Sequence, residues 1–361
     1  MRTRAAVAVI ALVLSDVSCD VLVPPPPPPQ NPFADSTLPS LEALPFAELG
    51  RGKIAFERVA GNGAAFGGIY VVDAAAHRSY PLISYLKLPA AQPALAPDGR
   101  TVAFSGSPIR SGCRSMLQLV DADGSGVRCV GTYGLSFGPR WTPDGRQIVV
   151  SVVDQQGTSI YRQDTSLATP TLVHRFDATG DSTWALYPPV SISPTGRLVI
   201  AALRRSVTPP AITWKGLLAM NADGSGLTRL FTLPDTFSRA VAATWSLDGH
   251  RIAFLAGLVD SSATHYQWTT TVQVIDQDGT NRTTVGAVPT YGPDASGWVE
   301  TFGNPVAWSL CWTSDGSRIV FSAPEQLGTW HLYVAAGVGG KPVEVVTTAE
   351  GWQDTSVSCS P

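Results

Sequence analysis

A short pattern of apolar and turn-forming residues recurs along most of the chain. In its clearest copy, Trp245 is followed by Ser-Leu-Asp-Gly and then by an apolar run at residues 252–254. Asp can bond its own backbone in a turn, and Gly takes a positive φ without steric cost. The flanking residues are β-branched or aromatic, as half-buried strands prefer. The pattern therefore predicts two antiparallel strands joined by a tight turn.

Five full copies of this pattern occur. Their turn positions are Asp98, Asp144, Thr195, Asp248 and Asp315, which are separated by 46, 51, 53 and 67 residues. Strand-rich repeats of roughly 40–50 residues are typical of β-propeller blades. The longer intervals require insertions in loops.

A second apolar pattern, which ends at Asp or Asn in most copies, predicts a third strand in each repeat. It occurs six times, at residues 69–73, 117–121, 160–164, 217–221, 272–276 and 332–336. A Gly-rich turn and a short fourth strand follow, for example at 122–126 and 127–130. Four antiparallel strands per repeat make one blade.

The first of the six blades lacks an inner strand before its second strand, residues 53–56. The C-terminal residues 355–361 supply the missing pattern, with Cys359 at the position of the large apolar residue. We predict that this last strand closes the ring onto the first blade. The sequence thus predicts an all-β fold, a six-bladed β-propeller of four-stranded antiparallel blades with only short, protected edges.

These repeats resemble the TolB-type propeller repeat, with its Trp-Ser-Pro-Asp-Gly turn and following Ile-Ala-Phe strand. The resemblance spans about residues 50–361 and implies a WD-repeat-like propeller. It implies little about function, because such propellers serve many roles. The family namesake has a separate N-terminal domain, which we do not expect here.

The first residues resemble a bacterial lipoprotein signal peptide, which we place at 1–19. A basic start precedes an apolar run at 5–14, which is too short to span a bilayer but suits a signal-peptide core. Residues 17–19 resemble the lipoprotein cleavage box, with Cys19 as the lipid attachment residue. Asp16 departs from that box, since an apolar residue is usual there. The alternatives are plain secretion, or a cysteine within a discarded peptide.

Six consecutive prolines at 24–29 predict a stiff polyproline II spacer, at roughly 3.1 Å per residue. We assign residues 20–49 to a Pro-rich linker, with one short helical turn between Leu41 and Leu49. Residues 50–361 form the propeller domain. No later apolar segment is long enough to cross a membrane, so we expect membrane contact through the lipid anchor only.

Charge excludes one class of partner. The net charge is −3, charged residues make up 15% of the chain, and no basic run exists. We therefore expect no nucleic-acid binding. We also expect a monomer without a cofactor, in a bacterial cell envelope, either periplasmic or at the cell surface.

Four of the five cysteines remain after Cys19, which in an exported protein suggests two disulfides. Cys113 and Cys129 flank the third strand of one blade. Cys311 and Cys359 belong to the inner strands of the last and first blades, at repeat positions that differ by one residue. Successive residues of a strand point to opposite faces, and in adjacent blades these two faces point towards each other. The alternative is that all four are buried free thiols.

Most insertions fall on one face of the disc, which we call the looped face. It carries the hairpins between second and third strands and the connections between blades, and long loops on a rigid scaffold are where binding usually occurs. Aromatic and Arg side chains are common anchors of recognition surfaces. The candidate binding residues are Arg110, Arg204, Arg205, Trp214, His265, Tyr266, Trp268, Tyr291, Trp298 and Trp330. Many of these aromatics could instead pack within their own loops.

The sequence contains no convincing catalytic motif. Residues 134–138 match Gly-x-Ser-x-Gly, but they lead into an inner strand rather than lying between a strand and a helix. His265 and His331 fall on the looped face, so a metal or acid–base role there stays an alternative to a packed imidazole. Asp-rich turns such as 121–124 resemble the start of a calcium loop but lack the later ligands.

We therefore expect a non-catalytic envelope lipoprotein whose propeller binds an envelope protein or peptide. One alternative is a propeller enzyme, a hydrolase or lyase acting on saccharide or peptide. It would require His265, His331, Asp260, Asp294 and Glu300 to converge at the central channel. The other alternative is a carbohydrate-binding module that uses exposed Trp side chains.

Overall fold

The computed structural model of this chain describes residues 31–34, 38, 41, 43–60, 67–88, 90–106, 116–131, 136–154, 157–166, 169–177, 182–260, 267–290, 308–326, 329–335, 340–345 and 352–360. Within these ranges the chain forms 24 β-strands and one short 3-10 helix, Phe46–Glu48. No helix in this part of the chain is long and apolar enough to cross a membrane.

The strands form six four-stranded antiparallel sheets, which confirms the predicted propeller. Blade 1 contains β1 (Lys53–Ala60), β2 (Gly67–Asp73), β3 (Arg78–Ser84) and the C-terminal β24 (Trp352–Cys359). Blade 2 contains β4 (Ala90–Leu95), β5 (Thr101–Gly106), β6 (Leu117–Asp121) and β7 (Arg128–Cys129). Blade 3 contains β8 (Ser136–Trp141), β9 (Gln147–Asp154), β10 (Gly157–Asp164) and β11 (Thr171–Asp177).

The last three blades follow the same order. Blade 4 contains β12 (Ser182–Ile192), β13 (Leu198–Ser206), β14 (Ala211–Met220) and β15 (Thr228–Thr232). Blade 5 contains β16 (Phe237–Trp245), β17 (Arg251–Asp260), β18 (Gln267–Asp276) and β19 (Thr283–Thr290). Blade 6 contains β20 (Leu310–Trp312), β21 (Ile319–Gln326), β22 (Thr329–Ala335) and β23 (Val343–Glu344).

The ring closes as the sequence predicts. β24 is the inner strand of blade 1 and pairs antiparallel with β1, from Ile54 opposite Cys359 to Ala60 opposite Trp352. The predicted disulfide between Cys311 and Cys359 joins the inner strands of blades 6 and 1, with a Cα–Cα distance of 5.6 Å. Cys129 is also disulfide-bonded, but its predicted partner, Cys113, lies outside the described residues.

The core lies between blades, because each blade packs against a neighbour on both of its faces. All seven residues of β2 are buried, as expected of a middle strand that is covered on both faces. The largest fully buried side chains come from second and third strands: Phe56, Tyr70, Phe104, Phe254 and Phe321. This packing explains why the apolar runs of the repeats lack a period of two.

Side-chain hydrogen bonds join neighbouring inner strands around the channel. The Val357 N–H donates to Ser309 Oγ at 2.5 Å, and the Leu95 N–H donates to Ser358 Oγ at 3.1 Å. Farther around the ring, the Trp245 N–H donates to Ser191 Oγ at 3.0 Å. Short polar side chains on the inner strands therefore fix the spacing between blades.

The tight turns follow the chemistry expected from the repeat. In blade 5 the Asp248 carboxylate accepts hydrogen bonds from the His250 N–H at 3.0 Å and from Ser246 Oγ at 2.5 Å. Gly249 has a φ of +72°, a region that favours glycine. These turns lie on the face of the disc opposite the looped face, which we call the turn face.

The described residues before β1 pack on the propeller. Asn31 Nδ2 donates to the Leu82 carbonyl at 2.7 Å, and Leu49 is buried in a cluster shared by blades 1 and 6. Arg318 of blade 6 forms an ion pair with Glu48 at 2.9 Å and donates to the Ala47 carbonyl at 3.0 Å. This segment therefore covers the seam between the first and last blades, and the predicted helical turn is the 3-10 helix Phe46–Glu48.

The spacing of the repeats predicts inserted loops that include residues 176–189, 203–215 and 257–270, but all three segments are largely strands. The stretch 203–215 belongs mostly to β13 and β14, and much of 257–270 belongs to β17 and β18. The hairpin pairs continue without a break from Arg251 opposite Asp276 out to Asp260 opposite Gln267. Antiparallel pairing satisfies the backbone groups of the inserted residues, so the insertions lengthen hairpins.

We expect Gly138→Ala to destabilise the propeller more than Gly145→Ala, by about 1–3 kcal/mol. Both glycines have positive φ, +56° and +68°, so the backbone strain of the two substitutions is similar. A Cβ at Gly138 would lie 2.9 Å from Pro188 Cβ in blade 4, whereas a Cβ at Gly145 meets nothing closer than 3.7 Å. Denaturant midpoints measure the difference, and equal midpoints would contradict it.

Candidate functional site

The hairpin of blade 4 is the best-described element of the looped face. Its strands β13 and β14 pair from Leu198 opposite Met220 out to Ser206 opposite Ala211. Residues 207–213 are all exposed, so the outer half of the hairpin projects into solvent. Ser206 Oγ donates to the Pro209 carbonyl at 2.6 Å and closes the turn.

The tip of this hairpin presents apolar side chains to water. Val207 is 52% exposed and Ile212 is 49% exposed, with Pro209 and Pro210 between them. Arg205 lies opposite Ile212 and is exposed as well. Exposed apolar side chains close together in the chain and next to a cation are typical of a surface that contacts another molecule. We call residues 205–212 the blade 4 tip.

Two Trp side chains and one Arg side chain pack together at the base of the tip. Trp184, Arg204 and Trp214 occupy paired positions on β12, β13 and β14. The two indole rings pack edge to face at 5.8 Å, and the Arg204 guanidinium lies 5.7 Å from the Trp184 ring centre. Arg204 also donates through Nε and Nη2 to Ser182 Oγ, at 3.2 and 2.8 Å. These three side chains therefore anchor the hairpin against the rest of blade 4.

A buried polar cluster lies at the seam between blades 1 and 6. Arg58 of β1 and Asp354 of β24 form an ion pair at 3.7 Å, and their side chains are 3% and 0% exposed. His331 of β22 bonds through Nδ1 to Glu344 of β23 at 3.0 Å. The Arg58 guanidinium also lies 5.3 Å from the Trp352 ring centre. We call these residues the seam cluster.

Burial governs the electrostatics of the seam cluster. It raises the pKa of Asp354 to about 7, because attraction to Arg58 and His331 offsets only part of the lost hydration. Neither Asp354 oxygen accepts a hydrogen bond within the described ranges. Burial likewise raises the pKa of Tyr70, which is near Arg58 and Asp354, to about 12. Asp354 therefore gains or loses its proton near neutral pH.

The structure separates the predicted site residues into buried and exposed groups. Trp214 is 6% exposed and Trp330 is 7% exposed, so both pack within the propeller, Trp330 against Trp308. Arg205 is exposed and Arg204 is half-buried. The side chain of Trp268 in β18 is outside the described part, as are Arg110, His265, Tyr266, Tyr291, Trp298 and the lipidation candidate Cys19.

Of the five acid–base residues expected of a propeller enzyme, only His331 has a side chain within the described part. His331 is buried in the seam cluster, while the side chains of His265, Asp260, Asp294 and Glu300 fall outside the described residues. Among the residues that the structure describes, no group of three or more His, Cys, Asp or Glu side chains could hold a metal ion.

The calcium-like turns are explained by local hydrogen bonds. Asp123 accepts from the Ser125 hydroxyl at 2.7 Å and from the Ser125 N–H at 2.8 Å. These bonds, the hydroxyl first, lower the pKa of Asp123. Asp223 and Asp278 make the same pair of bonds to Ser225 and Thr280. Each carboxylate therefore stabilises its own hairpin turn.

Sequence reasoning missed the seam cluster and the channel residue Arg140. Arg58 and Asp354 are 296 positions apart in the chain, so only the predicted pairing of β1 with β24 could have brought them together. Arg140 directly precedes Trp141 on an inner strand, at a position where the other copies of the repeat carry a small uncharged residue. That position within the repeat was the available signal.

No protein-family model matches the chain, and no similar curated protein sequence is found. Solved structures do match. TolB from Acinetobacter baumannii superposes with a TM-score of 0.60 at 17% identity, over 86% of this chain and 67% of that chain. The chain folds as a TolB-like six-bladed β-propeller.

A second similar structure is a nidogen–laminin complex, with a TM-score of 0.53 at 9% identity, over 86% of this chain and 99% of that chain. At such identities the likeness establishes only the fold of the TolB-like propeller. The ligand must be argued from the surface of this chain.

Proposed function

We propose that this TolB-like propeller is a non-catalytic scaffold of a bacterial cell envelope, which binds a protein or peptide partner on its looped face. The blade 4 tip carries the proposal: it exposes Val207 and Ile212 on a closed, well-supported hairpin. A rigid element loses little conformational entropy on binding, which favours affinity. The basic start, the apolar run at 5–14 and Cys19 support export and lipid anchoring.

Partner binding is expected to depend on the apolar side chains of the tip. Ile212→Ser should weaken binding about tenfold, which corresponds to about 1.4 kcal/mol and is within the range of an interface anchor. The partner is found first, by a photo-crosslinking residue placed at position 212 of the full chain in its host envelope. Affinity is then measured with the purified partner.

Leu172 provides a matched control, because its exposed fraction of 49% equals that of Ile212. Leu172 lies near the start of β11, at the turn face of blade 3, well away from the proposed surface. A crosslinker at position 172 should not capture the same partner, and Leu172→Ser should leave the affinity unchanged. Equal losses for both variants, or no specific crosslink from position 212, would refute the role of the tip.

A further inference from the structure

A small cavity lies among the inner strands of the blades. There Gln92, Gly138, Pro188, Pro189, Ser309 and Ser356 surround a cavity of about 10 Å³. Gln92, Gly138 and Ser356 have positive φ, between +55° and +56°, and occupy equivalent positions in successive inner strands. The cavity has room for about one water-sized group. We call the residues around this cavity the channel ring.

Arg140 brings a positive charge into the channel ring. Its Nη1 donates to the Pro139 carbonyl at 2.9 Å, and its Nη2 donates across the channel to the Val357 carbonyl of blade 1 at 3.3 Å. A guanidinium has five N–H groups, so three are left over. No carboxylate among the described residues pairs with Arg140, and burial lowers its pKa to about 10 with no nearby charge to offset the effect.

Gln92 adds further donors to the same cavity. Its Oε1 accepts the Gly138 N–H at 2.5 Å, which fixes the orientation of the amide. The two protons on Nε2 are then left without a partner in the described part of the chain, although Gln92 is only 7% exposed. Arg140 and Gln92, which both line this cavity, therefore have five N–H groups without a partner among the described residues.

We propose that the channel ring binds one compact anion, either a halide ion or the carboxylate group of a ligand that enters the channel. The Arg140 side chain is partly shielded from solvent, and hydrogen bonds from a charged donor to an anion are stronger than those between neutral groups. The cavity volume excludes large oxyanions and favours a single small group. This site is independent of the partner proposed for the blade 4 tip.

The test measures the thermal unfolding temperature of the full chain in sodium chloride, bromide, formate and methanesulfonate at constant ionic strength. Methanesulfonate is the bulky monovalent reference. A ligand that binds only the folded state raises this temperature with ln(1 + [L]/Kd). We expect a saturable increase in the small anions, which Arg140→Gln abolishes and the exposed control Arg51→Gln retains.

The set of salts that raise the unfolding temperature distinguishes a halide ion from a carboxylate group. An increase in chloride and bromide alone supports a halide, and an increase in formate supports a carboxylate group. Equal unfolding temperatures in all four salts, or an increase that persists in Arg140→Gln, would overturn the proposal. If Arg140→Gln does not fold, bromide-grown wild-type crystals decide the question, since an anomalous peak must then lie beside Arg140 and its absence refutes the site.

Discussion

Replacing Cys359 by serine is expected to lower the free energy of unfolding by about 4 kcal/mol at 25 °C. The Cys311–Cys359 disulfide closes a loop with a sequence separation of 48 residues, and constraining a loop of this length in the unfolded chain accounts for that magnitude. Chemical denaturation under non-reducing conditions measures it.

The partner cysteine gives an internal control. Cys311→Ser removes the same bond and should cost the same amount, and the double variant should cost no more than either single variant. If the two losses added instead, the cysteines would be stabilising the fold through separate contacts and the disulfide would contribute little.

The seam cluster is expected to make stability fall as the pH rises. The pKa of Asp354 is about 7 in the folded protein, above its ordinary value of 3.8. The folded state therefore binds more protons than the unfolded state between these values, and its advantage is lost as pH rises through 7. The contribution of Asp354 changes with pH only up to about 7. Raising the pH from 5 to 9 should therefore lower the free energy of unfolding by about 3 kcal/mol, since one pKa unit corresponds to 1.36 kcal/mol.

Asp354→Asn isolates this contribution. The amide cannot ionise, so the stability of the variant relative to the wild type should rise by about 3 kcal/mol between pH 5 and pH 9. Burial also raises the pKa of Glu57, which gives the wild type a further slope of the same sign. The difference between variant and wild type is therefore the quantity to measure.

Asp235→Asn is the matched control for this substitution, because the Asp235 side chain is fully exposed to solvent. It should leave the dependence of stability on pH unchanged. If attraction to Arg58 fully offset the lost hydration of the Asp354 carboxylate, Asp354→Asn would be less stable than the wild type at pH 9. That result would contradict the prediction.

The repeat pattern was sufficient to predict the blades, because each strand and turn is specified by local chemistry. The turn of Trp245 to Gly249 needs only the Ser246 hydroxyl and the Asp248 carboxylate. Ring closure could be predicted as well, since Cys359 continues the repeat in sequence. These features depend on neighbouring residues or on the order of repeats.

The candidate sites were harder to predict because they depend on contacts between strands and blades. Whether Trp214 is a contact residue or a support depends on Trp184 of another strand, and the edge-to-face packing of the two rings buries it. The exposure of Ile212 depends on strands β13 and β14 continuing where a loop was expected. No local pattern contains this information.

The strand order of blade 1 also constrains when the protein can fold. Lys53 and Ser360, which share a hydrogen bond, are 307 residues apart, whereas blades 2 to 6 are built from strands that follow one another directly. Contacts at such separation form late, because a long chain must first be brought together. Throughout synthesis on the ribosome the inner edge of β1 has no β24 to pair with, and an unpaired edge invites pairing with other chains. The newly made protein is therefore most vulnerable to aggregation until β24 has emerged.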